Sequence, residues 1–148
     1  MKKSLIILAL FLISIGAKAM VSENSISYVR TGSEVYFGHD LKIGFFNYKL
    51  IDSDGTVKKI PAREVVAYTH NSQHFEYLPL VNKSNVVSGY TMMEYITQRN
   101  GLNLYRRCCL DEKNESYDYY VFKNGEFYLK VDQENAKTTL PFFGIKVV

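Results

Sequence analysis

Tryptophan is absent from these 148 residues, proline occurs three times and cysteine twice. So little proline leaves no room for a polyproline linker. Two cysteines cannot build the multi-bridge framework of a small secreted scaffold. They are also adjacent, Cys108-Cys109, so there is no CxxC pair for redox chemistry or zinc. GxSxG and HExxH are missing, which removes the nucleophile elbow of serine hydrolases and the zinc-protease helix. No internal repeat or low-complexity tract interrupts the chain.

A long apolar run is lacking too. Leu5–Ile15 is apolar apart from Ser14, but it falls well short of the roughly 20 residues that cross a bilayer as a helix. Met1-Lys2-Lys3 precedes it and Ala17-Lys18-Ala19 follows, the layout of a secretory signal peptide cleaved after Ala19. No cysteine stands at that point for lipid attachment. The expected organisation is therefore a leader over 1–19 and one β-rich domain over 20–148, exported to the periplasm or beyond, with no membrane span after cleavage. The leader would take Lys2, Lys3 and Lys18 with it, out of 18 basic residues, and none of the 15 acidic ones. The mature balance is then zero, which argues against a nucleic-acid partner.

What the chain has in quantity is tyrosine, 12 residues, with phenylalanine, valine and isoleucine beside it. These suit pleated, half-buried surfaces. The residues from about Met20 to Thr31 are weakly patterned and read as a loose start. Asn124-Gly125 is the preferred pair for a two-residue type I′ turn within Tyr117–Asp132. It sets Lys123 opposite Glu126, Phe122 opposite Phe127 and Tyr120 opposite Leu129, with Val121–Tyr128 and Tyr119–Lys130 on the other face. Tyr48–Ile60 reads as a second hairpin, with Gly55 closing a three-residue loop and Pro61 ending it. Val65–Leu78 reads as a third. A two-residue turn at Asn71-Ser72 keeps Val66, Tyr68, Phe75 and Tyr77 on one face, whereas a three-residue turn would mix in Glu76. For Thr91–Arg99 a capping box at Thr91–Glu94 and the stop signal Asn100-Gly101 predict a short helix. The same Asn-Gly pair could instead turn a hairpin into Leu102–Leu110. The fold class is mainly β, a single antiparallel domain built of hairpins as a small barrel or sandwich, with that one helix.

Candidate chemistry is sparse. His70 and His74 point to opposite faces under the preferred turn, so they cannot share a metal. Asp52-Ser53-Asp54-Gly55 resembles a calcium loop, but Leu50 and Pro61 occupy the positions of its essential ligands. The sequence therefore predicts no metal, no cofactor and no catalytic set. His39, Asp40 and Arg106 are the residues that a small secreted hydrolase would use. Arg106-Arg107 could form an anion clamp. Asn82-Lys83-Ser84 and Asn114-Glu115-Ser116 match the glycosylation sequon.

Strand alternation puts Leu104, Cys108 and Leu110 on one face and Tyr105, Arg107, Cys109 and Asp111 on the other. The first set looks like core. Cys108 is thus expected to be buried and Cys109 exposed beside Arg107, available for a disulfide-linked dimer.

Several blocks carry a resemblance: Lys59-Ile60-Pro61, Glu64-Val65, Phe75-Glu76-Tyr77-Leu78-Pro79, Gly101, Leu104-Tyr105 and Tyr119-Tyr120. In these the chain resembles a family of small, exported, β-rich bacterial proteins of unassigned function. The resemblance implies an exported β domain and carries over no site residue. The expected role is a non-enzymatic binding or accessory module at the cell envelope. Its partner would be a protein or a small apolar or glycan ligand, held on an aromatic face or cavity.

Overall fold

The structure, a computed structural model, describes residues 26–111 and 114–147. The leader and its Ala19 cleavage site lie outside the described residues. The fold is mainly β, as expected, and every strand pairing is antiparallel. The strands are β1 (Ser27–Thr31), β2 (Val35–Gly38), β3 (Asp40–Ile43), β4 (Asn47–Ile51), β5 (Val57–Pro61) and β6 (Val65–His70). They continue as β7 (Gln73–Val81), β8 (Val87–Arg99), β9 (Leu102–Asp111), β10 (Asn114–Lys123) and β11 (Glu126–Lys130), followed by one helix, α1 (Ala136–Phe142). Eight strands form one sheet in the order β11-β10-β9-β8-β7-β6-β1-β2, and β3-β4-β5 form a second. The architecture is sandwich-like and not a closed barrel.

Local chemistry explains the hairpins. Asn71 and Ser72, Asn100 and Gly101, and Asn124 and Gly125 all have positive φ, the signature of type I′ turns that match strand twist. Asn71-Ser72 is the two-residue turn preferred from sequence, with Tyr68 opposite Phe75. Gly55, at φ +85°, sits in the β4–β5 loop closed by the Asp52 N–H on the Thr56 carbonyl.

Four expectations need correction. Thr91–Arg99 is strand, not helix, because β8 pairs with β7 on one side and β9 on the other. The first half of β8, through Glu94, pairs with β7 and its second half, from Glu94, pairs with β9, and Asn100-Gly101 turns the hairpin instead of stopping a helix. In the β10–β11 hairpin a bulge shifts the register beyond Phe122–Phe127, so Tyr120 faces Lys130 and Val121 faces Leu129. A second bulge, between β1 and β6, brings Val65 into the core with Tyr68 and leaves Val66 only partly buried. Residues 27–31, expected to be loose, form β1 and bury Val29 fully.

Further bulges interrupt β7–β8 and β8–β9. Each adds twist, and the large sheet curls until β11 touches β7. Met93, Tyr105, Tyr120 and Phe122 fill the inside of that curl. On the opposite face two covers are laid down. The β3-β4-β5 sheet buries Leu41, Tyr48, Leu50 and Ile60 against Val29, Val65 and Tyr68. Helix α1 and the residues after it set Phe143, Phe142 and Ile145 on Leu104 and Val121. α1 ends in a Schellman motif. Ile145 N–H reaches the Leu140 carbonyl and Gly144, at φ +81°, donates to Pro141. Arg99 donates to the Phe142 carbonyl at 2.5 Å and pins that end to the sheet.

Candidate functional site

The two covers pack on different parts of the sheet, one on β1 and β6 and the other on β9 and β10. Between them the sheet is open, and a groove of about 400 Å³ runs there, lined by Tyr68, Phe75, Met92, Glu94, Arg106, Cys108 and Tyr117 among others. Register dictates the lining. Phe75, Glu94, Arg106 and Tyr119 are successive cross-strand partners on β7, β8, β9 and β10, so they share one face in a row. Cys108 opposite Tyr117 starts the next row.

The polar centre of the groove is one ion pair. Arg106 Nε donates to Glu94 Oε2 at 2.6 Å. Glu94 also accepts from Gln73 Nε2 at 2.9 Å through its other oxygen. The Tyr117 ring lies over the guanidinium, 4.4 Å from its centroid. Both charges are thus held in place, and the guanidinium is a planar fork of five N–H donors, of which Nε is spent on Glu94. At one wall Tyr68 and Phe75 stack at 4.7 Å and 14°. Burial, with Tyr48 and Glu94 nearby, pushes the Tyr68 phenol well above its ordinary value. The groove therefore offers aromatic faces, a planar donor and a carboxylate acceptor in one open strip.

The opposite face holds two polar groups that the sequence did not disclose. Tyr28 hydroxyl lies 2.6 Å from His74 Nδ1, and His74 Nε2 lies 2.8 Å from Glu76 Oε1. Tyr105 hydroxyl donates to the other Glu76 oxygen at 3.0 Å. With Glu76 accepting the Nε2 proton, Nδ1 is left to accept from Tyr28. This chain ties β1, β7 and β9 together, and each member is satisfied. Further along, Asp118 gathers Arg107, Lys130, Cys109 and Tyr120 at 3.4–3.5 Å. Burial alone would raise the Asp118 pKa. Lys130, Cys109 and Arg107 outweigh it and hold the carboxyl below its usual range.

The residues singled out from sequence fall apart in space. His39 and Asp40 sit where β2 passes into β3, and Asp40 Oδ1 accepts from the Leu41 N–H. Arg106 is on β9, five strands from β2 in the sheet order. Arg106 and Arg107 point to opposite faces and form no joint clamp. His70 and His74 occupy different register rows, His70 opposite Gln73 and His74 opposite Thr69. The cysteine expectation is reversed. Cys108 is exposed and Cys109 is half-buried, and they are not joined. The face assignment holds, but α1 covers only the Leu104 end of that face and Cys108 lies beyond it in the groove.

A larger hollow of about 680 Å³ separates the β7–β8 turn from β11. Two of its polar side chains, Asn82 and Asp132, are engaged in the turns that line it. Asn82 Oδ1 accepts from the Ser84 and Val86 N–H groups, and Asp132 Oδ1 from Glu134 and Asn135. The groove at Arg106, with a charge pair and aromatic faces converging, is the better candidate.

No family model, no curated protein and no solved structure matches this chain.

Proposed function

We propose that this protein is an exported, non-enzymatic binding module of the bacterial cell envelope, and that its ligand lies in the groove between the β3-β4-β5 sheet and α1. The observation that carries the reading is the Glu94–Arg106 pair under Tyr117, beside the Tyr68–Phe75 stack. A pair of opposite charges offers no net field to a strongly charged ligand. It does present fixed donors and acceptors side by side. A neutral polyhydroxyl ligand fits both, because each hydroxyl can donate and accept. The weakly positive C–H face of a sugar ring packs on the negative face of an aromatic ring. A glycan is therefore favoured over a purely apolar ligand.

Export rests on the basic start, apolar run and Ala17-x-Ala19 of the first nineteen residues. Intact-mass analysis of the secreted or periplasmic protein is expected to begin at Met20. A mass that retains Lys2 and Lys3 removes the export half of the proposal.

Titration with soluble cell-wall oligosaccharides, followed by NMR shifts of the Tyr68, Phe75 and Tyr117 rings, tests the binding half. Saturable shifts, abolished in Arg106→Ala, are expected. Binding unchanged in Arg106→Ala, or no binding to any glycan, overturns it. New reducing ends appearing during the titration would favour the alternative, a small hydrolase using Arg106, for which His39 and Asp40 were the other candidates.

A further inference from the structure

The tip of the β3–β4 hairpin carries two large apolar side chains in water. Phe45 is 90 % exposed and Phe46 78 % exposed. Their rings meet edge to face at 4.9 Å and neither joins a core cluster. The turn that presents them is tightly built. A Cβ on Gly44 would come within 2.7 Å of the Asn47 carbonyl oxygen, so glycine allows the reversal. The Phe46 carbonyl accepts from the Ala62 N–H at 2.9 Å, which anchors the tip to the end of β5. Ile43, at the base of the tip, is also exposed.

Just behind the tip lies a row of like charge. Lys42 faces Lys49 and Lys49 faces Lys59, one lysine on each strand of the small sheet, all exposed. Like charges directly opposite on a sheet repel. Among the described residues none of the three is in an ion pair. The acids of this sheet, Asp40, Asp52 and Asp54, stand at the other end, by the β4–β5 loop. Arg63 and Glu64, in the short turn after β5, offset one another. The small sheet is therefore polarised along its length, from apolar tip to basic row to acidic end.

We infer that this hairpin docks the protein on an anionic phospholipid bilayer, with Phe45 and Phe46 inserted at the headgroup–acyl boundary and Lys42, Lys49 and Lys59 among the headgroups. The order of the features along the hairpin suits that depth profile. Aromatic rings reach about 5–10 Å into the interface, and the lysine row follows a few residues back, at roughly 3.3 Å per residue. A second copy of the chain is disfavoured, since two lysine rows would face each other. A rigid protein partner is disfavoured by the small, protruding tip, which falls short of the roughly 800 Å² that a stable interface buries on each side. The surface is distinct from the Arg106 groove, and the inference goes beyond the binding role proposed for that groove.

Co-sedimentation with vesicles tests it, using the full mature domain with phosphatidylcholine alone and with phosphatidylglycerol added. Binding is expected only to the anionic vesicles and is expected to weaken as salt rises. Each lysine near such a surface contributes about fivefold to partitioning, so a Lys42→Gln/Lys49→Gln/Lys59→Gln variant should bind about a hundredfold more weakly. Phe45→Ser/Phe46→Ser should lose more than tenfold, and it removes only exposed side chains, so its circular dichroism should match the wild type. Arg106→Ala should bind vesicles as the wild type does, which separates this test from that of the groove. No vesicle binding, equal binding to both vesicle types, or anionic binding unchanged in Phe45→Ser/Phe46→Ser would each overturn the inference. So would a concentration-dependent dimer that Phe45→Ser/Phe46→Ser abolishes, because the tip would then face another copy.

Discussion

Glu94 and Arg106 face each other across β8 and β9, with Arg106 Nε 2.6 Å from Glu94 Oε2 and the Tyr117 ring over the guanidinium. Glu94 is only 15 % exposed, so the pair is less screened than a surface salt bridge. Removing one partner leaves the other charge poorly solvated. Glu94→Gln and Arg106→Gln are each expected to cost about 1–2 kcal/mol. The double variant should cost less than the sum, by about 0.5–3 kcal/mol of coupling. Denaturant melts of the four proteins measure this, and strict additivity would mean the pair contributes nothing to the fold.

Phe122 and Tyr128 separate the two sides of the β10–β11 hairpin. Phe122 is buried at the centre of the curl against Tyr105 and Phe127. Tyr128 is the unpaired residue of the bulge and is 56 % exposed. Phe122→Ala is expected to cost about 3–5 kcal/mol, and Tyr128→Ala under about 1 kcal/mol. Equal losses in chemical denaturation would place the bulge elsewhere.

The two thiols should differ in reactivity. Cys108 is exposed in the groove, whereas Cys109 Sγ lies 3.4 Å from Arg107 Nη2 and 3.5 Å from Asp118 Oδ2. Native alkylation with iodoacetamide is expected to label Cys108 first. By the same exposure, any disulfide-linked dimer should disappear in Cys108→Ser and persist in Cys109→Ser, read on a non-reducing gel. Preferential labelling of Cys109 would restore the arrangement expected from strand alternation alone.

Asp118 makes stability depend on acid. Its folded pKa is depressed, while the unfolded carboxyl titrates near 3.9. The stabilisation it provides is therefore complete above that unfolded value and is lost as pH falls through the folded one. Wild type and Asp118→Asn should differ most in thermal stability near neutral pH. Their melting temperatures should converge as pH falls below the unfolded carboxyl's range and through the lower folded value. A gap that stays constant with pH would mean that the Asp118 charge is not the cause.

Buried phenols are expected to make stability depend on alkali. Burial and the Glu76 carboxylate raise the Tyr105 pKa. Its contribution is fully present below about pH 10, the unfolded value, and is lost as pH rises beyond it. Tyr105→Phe should flatten the alkaline loss of stability, measured by melts between neutral pH and mild alkali. An unchanged alkaline limb would assign it to other groups.

The β class and three of the hairpins were legible in the sequence because they depend on local chemistry. Asn71-Ser72 and Asn124-Gly125 take the positive φ that a two-residue turn requires, and alternation around them separates the faces. Thr91–Arg99 was not legible. Its capping box and its Asn-Gly stop are equally local, and only pairing with β7 and β9 together decides for strand. α1 was missed because its seven residues are too few to show a helical period, and Gly144 was its one clear sign.

The candidate groove lay beyond the sequence for a related reason. Arg106 was visible as a residue, but Glu94, Gln73, Phe75 and Tyr117 join it only through the registers of β7 to β10. The polar chain through His74 and Glu76 is completed likewise only when Tyr28 and Tyr105 arrive from distant strands. Alternation assigned Cys108 and Cys109 to their correct faces, because side-chain direction in a strand is a local property. Which face is buried is not local. It depends on where the β3-β4-β5 sheet and α1 come to rest, and the gap they leave exposes Cys108 and opens the groove.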